Sequence, residues 1–189
     1  GSLHAMRLGK HVYCEKPLTH NIREARLVAR VAKETGVATQ MGNAGHSRDT
    51  MAQTVESLRG GAIGTVREVH AWVPARRWNL DLLAPPTDTP PLPKGLNWDL
   101  WLGPRAERPF HPAYAPVHWR DFWDFGCGAL GDFACHDLDS ATWALDLAAP
   151  ATVQAFNAGQ THDQLAPHGS VCHFEFPARG AQQEVSVTW

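Results

Sequence analysis

Asp132 and His136 stand four residues apart in the stretch 126–139, GCGALGDFACHDLD. On a helix, that spacing sets a carboxylate and an imidazole on one face, one turn apart. An imidazole titrates close to neutral pH and suits removal of a proton from a hydroxyl, while a carboxylate beside it can hold a neighbouring hydroxyl. Lys16 is a third residue of this kind. It follows a short strand-like run and precedes Pro17, as groups do at the carboxyl edge of a parallel sheet. Taken alone, Lys16 reads better as a solvated lysine at a strand end. An ordinary surface pair fits Asp132 and His136 poorly beside so many glycines and aromatics. Asp139, a further turn along, reads as a structural partner.

The same stretch spells G-x-G-x-x-G over Gly126, Gly128 and Gly131, the dinucleotide-binding fingerprint. That motif needs a buried apolar strand before it and an acidic residue about 20 positions after its start. The preceding residues, HWRDFWDF, are interrupted by Arg120, Asp121 and Asp124, and Asp146 lies within the helical pattern. Asp132 would also face phosphates at a helix N-terminus that must be free of negative charge. The glycines therefore read as a turn that lets backbone approach a ligand closely, in front of a catalytic helix. Asp132, Cys135, His136 and Asp139 could be metal ligands. Cys135 is rotated from the Asp132/His136 face, however, and no second histidine recurs at ligand spacing, so no metal is expected.

The elements that must position these residues follow from periodicity. Residues 3–9 read as a helix tail capped by Gly9, and 11–14 as a short strand. Thr19 or Asn21 caps a helix with apolar residues at Ile22, Ala25, Leu27, Val28, Val31 and Ala32, ending at Gly36. A strand over 37–41, a small-residue loop and a helix over 49–58 complete an alternation that signals a parallel sheet. Residues 66–73 alternate like a half-buried strand, while 84–95, 97–103 and 109–118 look irregular. One helix over 129–147 then precedes strands at 152–157, 170–176 and 184–189, which suggests an antiparallel sheet. The expected fold class is α/β followed by α+β.

At 189 residues and 43% hydrophobic content the chain is ordinary for a globular protein, and a net charge of −2 argues against nucleic-acid and acidic-membrane partners. No apolar run approaches a membrane span and no signal peptide is visible, so the expected location is cytoplasmic, with an exported form left open. Cys14, Cys127, Cys135 and Cys172 show no C-x-x-C spacing and read as reduced, mostly buried thiols. Seven of the eight tryptophans, Trp72, Trp78, Trp98, Trp101, Trp119, Trp123 and Trp143, fall mid-chain and suit either a core or a carbohydrate-stacking pocket. The chain begins inside a helix and ends on an apolar strand residue. Two strands cannot close a parallel sheet, so an internal fragment of a longer protein is expected.

The segment AMRLGKHVYCEKPLTHNIREARLVARVAKETGV, with GALGDFACHDLD at 128–139 and NWDLWLGP at 97–104, resembles the Gfo/Idh/MocA oxidoreductases. The resemblance implies the C-terminal part of a Rossmann domain over 1–62. It is joined to part of a substrate domain with an open antiparallel sheet over 63–189, both incomplete. It implies NAD or NADP as cofactor, with Glu15, Lys16, Pro17 and Asn43 on the cofactor side, and a cis Lys16–Pro17 bond. The family's phosphate-binding loop lies upstream of E-K-P, so these residues alone should not hold NAD tightly. Lys16, Asp132 and His136 match the family's catalytic residues, and Trp119, Arg120, Asp124 and His46 are substrate-side candidates. The implied activity is oxidation of a secondary alcohol of a sugar or cyclitol by hydride transfer. Alternatives are an NAD-dependent glycosidase working through transient oxidation and elimination, and a non-catalytic sugar-binding module. The implied partners are a small sugar or cyclitol substrate and further copies of the chain, associated through the open sheet.

Overall fold

The computed structural model describes residues 1–73 and 81–189; Trp78 lies outside them. The chain divides into two compact units, one of Gly1–Val73, Asp132–Ala155 and Cys172–Trp189, the other of Pro74–Gly131 and Phe156–Val171.

In the first unit α1 (Ser2–Arg7), β1 (Val12–Glu15), α2 (Ile22–Thr35), β2 (Thr39–Gly42) and α3 (Asp49–Arg59) follow in order. β1 and β2 pair in parallel, with Val12 opposite Thr39 and Glu15 opposite Gly42, as two strands joined through a helix must. α2 forms because local signals agree. Asn21, rather than Thr19, accepts the Glu24 amide at 3.0 Å, and the Glu24 carboxylate accepts the His20 amide at 2.9 Å. Gly36 closes the helix at φ 64°, a left-handed conformation that only glycine adopts without strain. The helix and its neighbours bury Met6, Val31 and Val55.

The helix expected over 129–147 is two helices, α5 (Gly128–Asp137) and α6 (Asp139–Ala144), interrupted at Leu138. The later strands are β4 (Thr152–Ala158), β5 (Gly169–Phe176) and β6 (Val185–Thr188). With β3 (Glu68–His70) they form a sheet in the order β3-β6-β5-β4. β5 and β6 are antiparallel, but β3 lies parallel to β6, so the sheet is mixed rather than wholly antiparallel. A long connection separates β3 from β6, and it lets the chain return in either direction. Val185, Val187, Cys172 and Trp189 are buried on it.

The second unit carries α4 (Trp98–Leu102), where an irregular segment was expected. Asn97 caps it by accepting the Leu100 amide at 3.0 Å. Its core is Ala113, Tyr114, Phe122 and Leu165, packed by Leu82, Trp98, Trp101 and Phe125. Trp98 and Trp101 stack at 4.6 Å, so these two tryptophans are core residues.

The G-x-G-x-x-G glycines are packing glycines. A Cβ on Gly126 would lie 2.6 Å from the Arg120 backbone, and one on Gly128, at φ +64°, would lie 2.8 Å from the Ala166 methyl. Both contacts are shorter than carbon atoms tolerate. The small residues are demanded by neighbouring backbone and a methyl group, which accounts for the motif without a phosphate.

Candidate functional site

The carboxyl ends of β1 and β2 and the helices α5 and α6 carry the residues with chemistry, all within the first unit. Lys16, one residue beyond β1, donates from Nζ to Asp132 Oδ1 at 2.7 Å and to the Asp132 carbonyl at 2.8 Å. The side chains are 23% and 11% exposed, so the pair is largely shielded from water and stronger than a surface ion pair. The Lys16–Pro17 bond is cis, as the resemblance implies. Glu15 is exposed, and its carboxylate lies over Gly42, where a Cβ would meet it at 2.6 Å. His136 follows Asp132 by one turn. His136 is half-buried. An ammonium and a carboxylate are thus brought together from elements 116 residues apart in sequence, with an imidazole one helical turn beyond the carboxylate. Such a set can hold a hydroxyl and take its proton.

Behind the pair lies a second layer. Asn43 Nδ2 donates to the Cys135 carbonyl at 2.9 Å, and His46 Nδ1 lies 2.9 Å from Asp139 Oδ1. The His46 ring stacks on Trp143 at 4.4 Å. Asn43, His46, Cys135 and Asp139, with Gln40 and Met41, line a cavity of about 350 Å³. Asp139 thus reads as the structural partner expected of it, whereas His46 is engaged with Asp139 and Trp143. Trp189 Nε1 donates to Asp137 at 3.3 Å, and Arg59 donates to the Trp143 carbonyl at 2.6 Å, so the two helices are held at several points.

Cys135 faces the same surroundings. Burial pushes its thiol above the usual range; Lys16 opposes the rise, while Asp132 and Asp137 add to it. Burial alone raises Cys172. Cys172 is buried, but Cys14, Cys127 and Cys135 are half-buried, so the expectation of mostly buried thiols holds only for the first.

The remaining candidates belong to the second unit. Arg108 forms an ion pair with Asp124, and its guanidinium lies 4.9 Å from the centre of the Phe125 ring. Arg120 sits 4.5 Å over the Trp119 ring and donates to the Val117 carbonyl at 3.1 Å. The Arg108 partner was not read from the sequence, because an arginine sixteen residues away carries no periodic signal.

The second unit falls largely within a match to a known domain. The model of the oxidoreductase family's C-terminal alpha/beta domain matches residues 78–174, just over half of the chain, and that of its NAD-binding Rossmann fold matches residues 2–43. The chain belongs to the Gfo/Idh/MocA oxidoreductase family. The fold is accordingly part of a Rossmann domain followed by part of the family's C-terminal α/β domain.

A 1,5-anhydro-D-fructose reductase from Ensifer adhaerens is 28% identical over 151 residues, covering 77% of this chain. Among solved structures, the WlbA dehydrogenase of Bordetella pertussis, determined with NADH and UDP-GlcNAcA, superposes with a TM-score of 0.62 at 17% identity. The aldose-aldose oxidoreductase of Caulobacter crescentus, complexed with glycerol, gives 0.59 at 19%. Each superposition covers 99% of this chain. The chain spans 33% of the reductase, 47% of the dehydrogenase and 45% of the aldose-aldose oxidoreductase. Among the described residues no helix is long and apolar enough to cross a membrane.

Proposed function

We propose that the full-length protein oxidises a secondary alcohol of a sugar or cyclitol with NAD or NADP. Residues 1–62 contribute to the nucleotide side and 63–189 to the substrate side. The observation that carries this reading is the 2.7 Å contact of Lys16 with Asp132, one turn from His136, at the carboxyl edge of a parallel strand pair. The donor set suits a nicotinamide cofactor: a lysine after a strand, followed by a cis proline, with small residues Gly42 and Asn43 at the neighbouring strand end. Glu15, Lys16 and Pro17 would hold it. The chemistry such a cofactor supplies when bound is acceptance of a hydride from the carbinol carbon.

The chain's own residues supply the rest. Lys16 donates a hydrogen bond to the reacting hydroxyl, and its charge favours the alkoxide-like oxygen that develops as the carbon–hydrogen bond weakens. His136 accepts the hydroxyl proton, so one hydride and one proton leave and a ketone remains. Asp132 holds Lys16 in place and accepts a hydrogen bond from a neighbouring hydroxyl. His46, Trp119, Arg120 and Asp124 remain candidates for the substrate side.

In the full-length protein, Lys16→Met and His136→Ala should each lower sugar-dependent NAD reduction by about a hundredfold or more, the scale of a lost general base or a lost charge on the reacting oxygen. Steady-state rates near wild type in either variant would overturn the proposal. Release of an aglycone with no net NAD reduction would identify the transient-oxidation glycosidase instead.

A further inference from the structure

We infer that Asn43 is a positioning residue, whose side-chain amide caps the Cys135 carbonyl and so fixes the turn of α5 that carries His136. The inference rests on the proposed role of His136. In an unbroken helix the Cys135 carbonyl would pair with the amide of Asp139. α5 ends at Asp137 and α6 begins at Asp139, with Leu138 outside both, although the Leu138 amide still bonds back to Ala134 and the Thr142 amide to Leu138. Cys135 lies in the last turn of α5, where carbonyls have no donor within their own helix. Asn43 Nδ2 supplies one from β2's carboxyl end, at 2.9 Å.

The orientation of this amide is determined by its neighbours. Nδ2 also lies 3.5 Å from Asp139 Oδ2. Reversing the amide would set its oxygen against a carbonyl and a carboxylate, three acceptors together. In the observed orientation Asn43 Oδ1 is buried without a hydrogen-bond partner among the described residues. Asn43 therefore serves α5 through its Nδ2. His46 reinforces the arrangement by holding Asp139 at 2.9 Å.

Asn43→Asp tests this, since it keeps the shape and replaces the donor by an acceptor facing two acceptors. In the full-length protein the kcat for the sugar should fall about tenfold with KM changed less than about threefold, because a base displaced by a fraction of an ångström loses rate rather than binding. The His136 ring resonances should move, and the amides of residues 136–139 should exchange faster. The double variant N43D/D139N should not recover kcat, because it rebuilds the 3.5 Å contact and leaves the Cys135 carbonyl uncapped. Unmoved His136 resonances with wild-type exchange would overturn the inference, as would recovery in the double variant. Asn43→Ser, which keeps a shorter donor, supplies the same spectra if the aspartate does not fold. Should His136→Ala retain full activity, the proposed function fails, while the resonances and the exchange still decide the cap.

Discussion

Cys135 shows how the pair beside it can be read without substrate. Its thiol is raised by burial, opposed by Lys16 and pushed further by Asp132 and Asp137. Alkylation requires the thiolate. The pH midpoint for iodoacetamide labelling of Cys135, followed by peptide mass spectrometry, should therefore lie above that of a free cysteine. Lys16→Met removes the cation that favours the thiolate and should move the midpoint further up; Asp132→Asn should move it down. An unchanged midpoint in both variants would mean that these charges do not act on Cys135. A thiol raised in the folded chain also links stability to pH. Its contribution is complete below the unfolded thiol's pKa and is lost as pH rises through the raised one. The glycines make a second residue-scale case. Gly128→Ala adds a Cβ 2.8 Å from Ala166 at a positive φ, so calorimetry should find a loss of about 1–3 kcal/mol. A neutral result would show that α5 can shift away from Ala166.

α2 is the element in which cap, periodicity and terminator all agree, and it was legible for that reason. Its Asn21 cap should contribute about 1 kcal/mol, and Asn21→Ala should lower the melting temperature by about 2–4 °C. A melting temperature unchanged within a degree would mean that the exposed helix frays without consequence for the rest. The break at Leu138 was not legible. Residues 129–147 carry continuous helical periodicity, and the group that caps the Cys135 carbonyl comes from Asn43, 92 positions earlier. α4 was missed for a different reason. Its capping asparagine is visible in the sequence, but five residues are too few to show a helical period. The mixed sheet was also hidden, because alternation specifies which face of β3 is buried and says nothing of the strand it joins.

For the molecule as a whole, Lys16, Asp132 and His136 could be singled out as residue types in characteristic local settings, whereas the contact of Lys16 with Asp132 is a property of the folded chain. The sheet presents the complementary case, a surface that the fold leaves uncovered. Every residue of β4 is exposed, including Val153 at 59% and Phe156 at 51%, and Val171 on β5 is 43% exposed. An edge strand with both faces open and apolar side chains on it is normally paired, covered or charged. β4 carries no charged residue. Association through the open sheet, which the family resemblance implies, would cover it. Light scattering of the full-length protein should then give a mass that is a multiple of the monomer. Phe156→Lys, which puts a charge in the middle of the strand, should shift that mass to the monomer. Activity per subunit should remain within about twofold, since Phe156 has no part in the proposed chemistry. A monomeric wild type, or an assembly that survives the lysine, would show that β4 is not the joining surface.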